Sequence, residues 1–108
     1  VKVRGFRVEL DSISAALETV PHIDQAITLK LDDRNLATFV TPRTVDTELA
    51  KRAIAKKLPY YCTPSFIRAM DELPKTNRGK TDKRALTIMA AKIQEDMRTN
   101  STRQEAGA

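Results

Sequence analysis

Five prolines, at positions 21, 42, 59, 64 and 74, divide this chain of 108 residues, and any fold must respect those divisions. A proline has no backbone N–H and a fixed φ, so it is excluded from helix interiors and central strands. It also pushes the residue before it out of the helical region. Each segment carries its own hydrophobic pattern. Residues 1 to 10 alternate, with Val1, Val3, Val8 and Leu10 set against Lys2, Arg4, Arg7 and Glu9. That predicts two short strands joined at Arg4-Gly5-Phe6, with Gly5 free to take a positive φ in the turn. In residues 11 to 20, Ile13, Ala16, Leu17 and Val20 share one helical face. Asp11 or Ser12 caps this helix and Pro21 ends it. His22, in the loop beyond, is an ordinary surface residue.

Residues 23 to 31 and 36 to 41 read as strands around the polar turn Asp32-Asp33-Arg34-Asn35, a second hairpin. After Pro42, Asp46 or Thr47 caps a helix running to about Leu58, with Leu49, Ala53, Ile54 and Leu58 inward. Lys51, Arg52, Lys56 and Lys57 form its outer face and end. Cations in a last turn complement the helix dipole, so this is first a solvated face. Residues 59 to 64 are a stiff connector in which Tyr61 can pack, and 65 to 71 a further strand. From Asp82 to about Arg98, Leu86, Met89 or Ala90, Ile93 and Met97 recur at helical spacing. Residues 99 to 108 lack apolar periodicity and read as a linker or frayed tail. The order predicts an α+β fold: a small, mainly antiparallel sheet covered by about three helices, one domain over residues 1 to 98.

The single cysteine, Cys62, and single histidine exclude an internal disulfide and a zinc ligand set, and suit a reducing, cytoplasmic location. No apolar run approaches the roughly 20 residues of a membrane span. The opening VKVRGFRVEL is charged and alternating, unlike a signal peptide, and starts mid-pattern, as expected of a piece of a longer protein. A net charge of +5 allows anionic partners without choosing among them.

One stretch stands apart chemically. Residues 73 to 86, LPKTNRGKTDKRAL, hold the loop formers Pro74, Thr76, Asn77 and Gly79. They also hold five cations, Lys75, Arg78, Lys80, Lys83 and Arg84, against the single anion Asp82. Gly79 permits a sharp turn or close approach. Lys80 then carries a point charge on a long stem, suited to a phosphate or carboxylate oxygen. Asp82 is positioned to cap the helix that follows.

Three stretches, in order, resemble the C-terminal subdomain of adenylation domains, the adenylate-forming enzymes of nonribosomal peptide synthetases and their acyl-CoA synthetase relatives. VKVRGFRVEL resembles the end of the hinge-region motif Gln-Val-Lys-Ile-Arg-Gly-x-Arg-Ile-Glu-Leu. LPYYCTP resembles Leu-Pro-x-Tyr-Met-x-Pro. LPKTNRGKTDKRAL resembles the final motif, Leu-Pro-x-Thr-x-Asn-Gly-Lys-x-Asp-Arg-x-x-Leu. The match runs to about Leu86. The resemblance implies that Lys80 is the catalytic lysine, in a nucleotide and substrate loop with Thr76, Arg78 and Gly79. It implies that Arg4, Gly5 and Phe6 form the loop that borders the pantetheine tunnel in the thioester-forming state. It implies ATP and Mg2+, bound mainly by an N-terminal subdomain of the same chain, and phosphopantetheine on a downstream carrier domain. No metal site, membrane or nucleic acid is implied for this segment.

The departures are specific. Arg78 stands where the motif has asparagine, with Asn77 displaced by one. Asp11-Ser12-Ile13-Ser14 replaces Gly-Glu-Ile-Glu, and Cys62 replaces a methionine. They fit a divergent branch, such as a fungal or reductase-linked synthetase. The implied function is that of a mobile lid, inactive alone, in ATP-dependent activation of an amino or other carboxylic acid. The alternatives are the equivalent subdomain of an acyl- or aryl-CoA ligase or a carboxylate reductase. A basic nucleic-acid-binding module is a remoter one, because the aromatics Phe6, Phe39, Tyr60, Tyr61 and Phe66 are not interleaved with the cations of 75 to 84 as stacking platforms require.

Overall fold

The computed structural model describes residues 2–107, with side chains described up to Met97. The alternating start closes into a tight hairpin, β1 (Lys2–Val3) with β2 (Phe6–Arg7), paired Lys2↔Arg7 and Val3↔Phe6. Helix α1 follows (Leu10–Glu18), then β3 (Gln25–Lys30) and β4 (Leu36–Thr41), antiparallel from Gln25↔Thr41 to Lys30↔Leu36. Helix α2 (Thr47–Lys57) and a single 3-10 turn (Tyr60–Cys62) lead to β5 (Phe66–Ala69). The lysine loop and α3 (Lys83–Gly107) complete the chain. The α+β class is as expected, with one refinement. β5 joins β4 in parallel, Ala37↔Phe66 to Val40↔Ala69, giving the order β3-β4-β5. Parallel neighbours need a crossover, and α2 supplies it.

Both faces of this sheet are covered, so β4, at its centre, is buried at all six positions. Leu36 and Val40 face one core with Ile13, Leu17, Ile23, Ala50 and Ile54 of the α1–α2 side. Ala37 and Phe39 face the other, with Leu29, Leu73, Leu86 and Ala90 of the α3 side. A strand buried on both faces loses polar alternation, which is why LATFVT reads as a short apolar run. Its buried central hydroxyl is satisfied across the sheet: Thr38 lies 3.1 Å from the Thr28 hydroxyl of β3, to which Ser14 of α1 donates at 3.1 Å. Val3 and Val8 enter the α1–α2 core, which anchors the hairpin to the domain.

Local signals differ in how well they held. Asp46 caps α2, its Oδ1 accepting from the backbone N–H of Glu48 at 3.0 Å and Leu49 at 3.3 Å. Replacing Asp46 by alanine is expected to lower stability by about 1 kcal/mol, checked by urea unfolding. α1 begins earlier than expected: Glu9 is its N-cap, without a side-chain bond, and Asp11 lies inside the first turn. Leu49 is not inward but 53% exposed, because Ala50 and Ile54 carry the buried face of α2. On α3, Ala90 rather than Met89 is buried, and Met97 is exposed. The backbone of α3 is helical across the expected boundary at 98; the side chains of the tail, 99 to 108, lie outside the described residues.

Candidate functional site

The lysine loop is an ordered hairpin of its own. An antiparallel bridge pairs Lys75 with Thr81. Inside it the Thr76 N–H donates to Lys80 O at 2.7 Å, and the Gly79 N–H to Thr76 O at 2.9 Å. Gly79 has φ +81°. A turn closed between residues 76 and 79, followed by a left-handed glycine, is the arrangement of a three-residue hairpin with a glycine bulge. A Cβ on Gly79 would meet nothing within 4 Å, so glycine is needed for the dihedral rather than for space. The loop ends are pinned by Leu73, 4% exposed, and by Leu86, fully buried. The Asp82 N–H donates to Pro74 O at 2.8 Å, while its Oδ1 accepts from the Ala85 N–H at 3.0 Å and caps α3.

Lys80 is therefore a flexible charge on a fixed base. Its side chain is exposed, as are Thr76, Arg78 and Gly79 beside it. Lys75, Arg78, Lys80, Lys83 and Arg84 make no ion pair among the described residues, and the one anion, Asp82, is occupied by capping. Five uncompensated cations in one loop and the helix start repel each other and favour an anion brought near them. That suits phosphate and carboxylate groups. No cluster of three or more His, Cys, Asp or Glu side chains able to hold a metal occurs among the described residues.

The second set, Arg4, Gly5 and Phe6, lies at the β1–β2 turn. Arg4 has φ 55° and Gly5 φ 83°. Positive φ at both central residues is the type I′ turn that matches strand twist. For Gly5 this is free of strain; for Arg4 the left-handed region costs roughly 1–2 kcal/mol. The cost is offset by the β3–β4 turn. Arg4 N–H donates to Asp33 O at 2.6 Å, and Arg4 Nε to Arg34 O at 3.3 Å. Asp33, Arg34 and Asn35 line an open cleft with Arg4 and Gly5. Phe6, 40% exposed, stacks flat on Tyr61 with ring centroids 4.1 Å apart, and Tyr60 meets both edge-on. The connector thus buttresses the Gly5 loop, while Phe39 and Phe66 meet in the α3-side core. Cys62 of the connector is buried in the α1–α2 core, which raises its thiol pKa and keeps it protonated.

The two loops are not brought together within this chain. The Lys80 loop is at the start of α3. The β3–β4 turn beside Gly5 meets α3 at Gln94, whose amide is 3.4 Å from Asp32. Gln94 lies 11 residues beyond Lys83, an axial rise of about 16 Å. In sequence, residues 32 to 35 read only as a polar turn. Its Asp-x-x-Asn spacing, a side-chain-closed turn, was the available signal.

Comparison with known proteins gives a consistent result. No protein-family profile matches the chain. An adenylate-forming reductase of Coprinopsis cinerea is 47% identical over 102 residues, covering 93% of this chain and 10% of the reductase. A nonribosomal peptide synthetase of Leptosphaeria maculans is 39% identical over 92 residues, covering 84% of this chain and 4% of the synthetase. The chain thus spans a tenth or less of the length of these curated relatives. In the crystal structure of a four-domain nonribosomal peptide synthetase bound to AMP and glycine, a segment 35% identical superposes with a TM-score of 0.70. It covers 79% of this chain and 7% of that one. In sequence and in fold alike, the chain belongs to the adenylate-forming superfamily, whose C-terminal subdomain it matches.

Proposed function

We propose that this chain is the mobile C-terminal lid of an adenylate-forming enzyme and that Lys80 is its catalytic lysine. The observation that carries this is the Lys80 loop: an exposed ammonium, unpaired among the described residues, behind a left-handed glycine on a hairpin fixed at both ends. In the first half-reaction a carboxylate oxygen attacks the α-phosphorus of ATP. The bond to the β-phosphate oxygen breaks, giving acyl-adenylate and pyrophosphate. Both reactants are anionic, so a cation between them offsets repulsion and stabilises charge growing in the transition state. Thr76, Arg78 and Gly79 shape the loop that presents it. ATP and Mg2+ are held mainly by the N-terminal subdomain.

In the second half-reaction the phosphopantetheine thiol of a carrier domain attacks the acyl carbonyl, and AMP leaves. Arg4, Gly5 and Phe6 border the path of that arm. Two loops set apart along α3 suit a lid that rotates, offering one loop to each step. Residues 99 to 108 lead toward the carrier domain. Resemblance to an adenylate-forming reductase and to peptide synthetases favours a carrier-linked enzyme over a CoA ligase. The test is ATP–pyrophosphate exchange by the full-length enzyme against a panel of amino acids and aryl acids. Exchange with one of them is the expected result; none with any acid overturns the reading. The isolated chain is expected to give no adenylate, because the acid-selecting and nucleotide-binding subdomain is not part of it.

A further inference from the structure

We infer that the β3–β4 turn, residues 31 to 35, is a positioning element for the Arg4–Gly5 loop in thioester formation, with Asp32 as its organising residue. The inference rests on the reading above that this loop serves the thiol-transfer step. Arg4 occupies the left-handed region without being glycine, a conformation that persists only where surroundings hold it. What holds it is two carbonyls of that turn, Asp33 O on its N–H and Arg34 O on its Nε. Those carbonyls point correctly only while the turn keeps its shape.

The shape is set by Asp32. Its Oδ1 accepts from the Arg34 N–H at 2.8 Å, and both carboxylate oxygens accept from Asn35 Nδ2 at 3.0 Å. The Asn35 carbonyl in turn accepts from the Leu31 N–H at 2.9 Å, and its Oδ1 from Ser65 Oγ at 2.6 Å. Lys30 pairs with Asp33 at 3.5 Å. Gln94 reaches Asp32 from α3, the helix that begins at the lysine loop. The Asp32 carboxylate is held below its ordinary pKa, chiefly by the Asn35 amide and then by the Arg34 N–H, so it stays an acceptor at working pH. Asp32 therefore acts on the Gly5 loop through the backbone of its neighbours, and has no such connection to Lys80.

The test uses the full-length enzyme and its Asp32→Ala and Asp32→Asn variants, with the acid of strongest exchange. Pyrophosphate exchange and transfer to the carrier thiol are followed separately, with hydrogen exchange of the peptide containing Arg4. Asp32→Ala is expected to slow thiol transfer about tenfold to a hundredfold, the scale of a loop misplaced by an ångström. Exchange should hold at the wild-type rate, and the Arg4 amide should lose protection while Ile13 and Leu17 keep theirs. Asp32→Asn, which retains one acceptor oxygen, should recover most of the transfer. An Arg4 amide that stays protected, or equal loss in both half-reactions, overturns the inference. A wild-type enzyme that forms adenylate yet never acylates a thiol overturns the reading of the Gly5 loop itself, whatever the amide reports.

Discussion

Replacing Lys80 by alanine is expected to lower pyrophosphate exchange about 10²–10³-fold, the usual loss when one group that stabilises developing transition-state charge is removed. The reason is geometric as well as electrostatic. Lys80 directly follows Gly79, whose positive φ turns the chain, and its own carbonyl is fixed by the Thr76 N–H. The side chain therefore leaves the loop in a set direction while its ammonium remains unpaired among the described residues. Folding should be untouched. An exposed residue without a side-chain partner changes stability by only about 0.5 kcal/mol or less. Equal unfolding midpoints for wild type and variant will show that lost exchange is lost chemistry. Lys80→Arg should restore little, since a planar fork does not replace a point charge on a flexible stem. Exchange that survives Lys80→Ala would reduce Lys80 to a surface cation and end the catalytic reading.

Replacing Gly5 by valine is expected to spare adenylate formation and cut thiol transfer at least about tenfold, a scale that an ångström of misplacement readily exceeds. Two effects act, and the structure separates them. A Cβ on Gly5 meets nothing within 4 Å, so the variant has no clash inside this chain. Its φ of 83° nevertheless disfavours a β-branched residue, costing roughly 1–2 kcal/mol and pushing the turn toward another shape. On the proposed function, the added side chain would also occupy space on the path of the pantetheine arm. Gly5→Asn distinguishes them, because asparagine tolerates the left-handed region while still adding bulk. If Gly5→Asn transfers normally and Gly5→Val does not, the dihedral matters most; if both fail, the space does. Equal transfer by all three would remove Gly5 from the second step.

How much of this was legible depended on distance along the chain. The Arg4-Gly5 turn, the Asp46 and Asp82 caps and the glycine before Lys80 were readable, because each is satisfied within about four residues. The same locality made the motif around Lys80 recognisable. The α1 cap departs from the local signal: Asp11 and Ser12 are good capping residues, yet the helix starts at Leu10, which packs against the core with Ile13 and Leu17. Leu49 is exposed for the same reason: periodicity offers a face, and packing selects its centre.

The element order, the α+β class, the glycine turn at Gly5 and the loop that presents Lys80 are all legible in the residues alone. These follow from dihedral preference and short-range hydrogen bonding, which neighbours alone can satisfy. Tertiary packing alone sets β5 parallel to β4, lays Tyr61 flat on Phe6, and lets Asp33 and Arg34 hold Arg4 from 29 and 30 residues away. Contacts that close such long loops depend on burial across the whole sheet, and no local pattern encodes which partner will be found there.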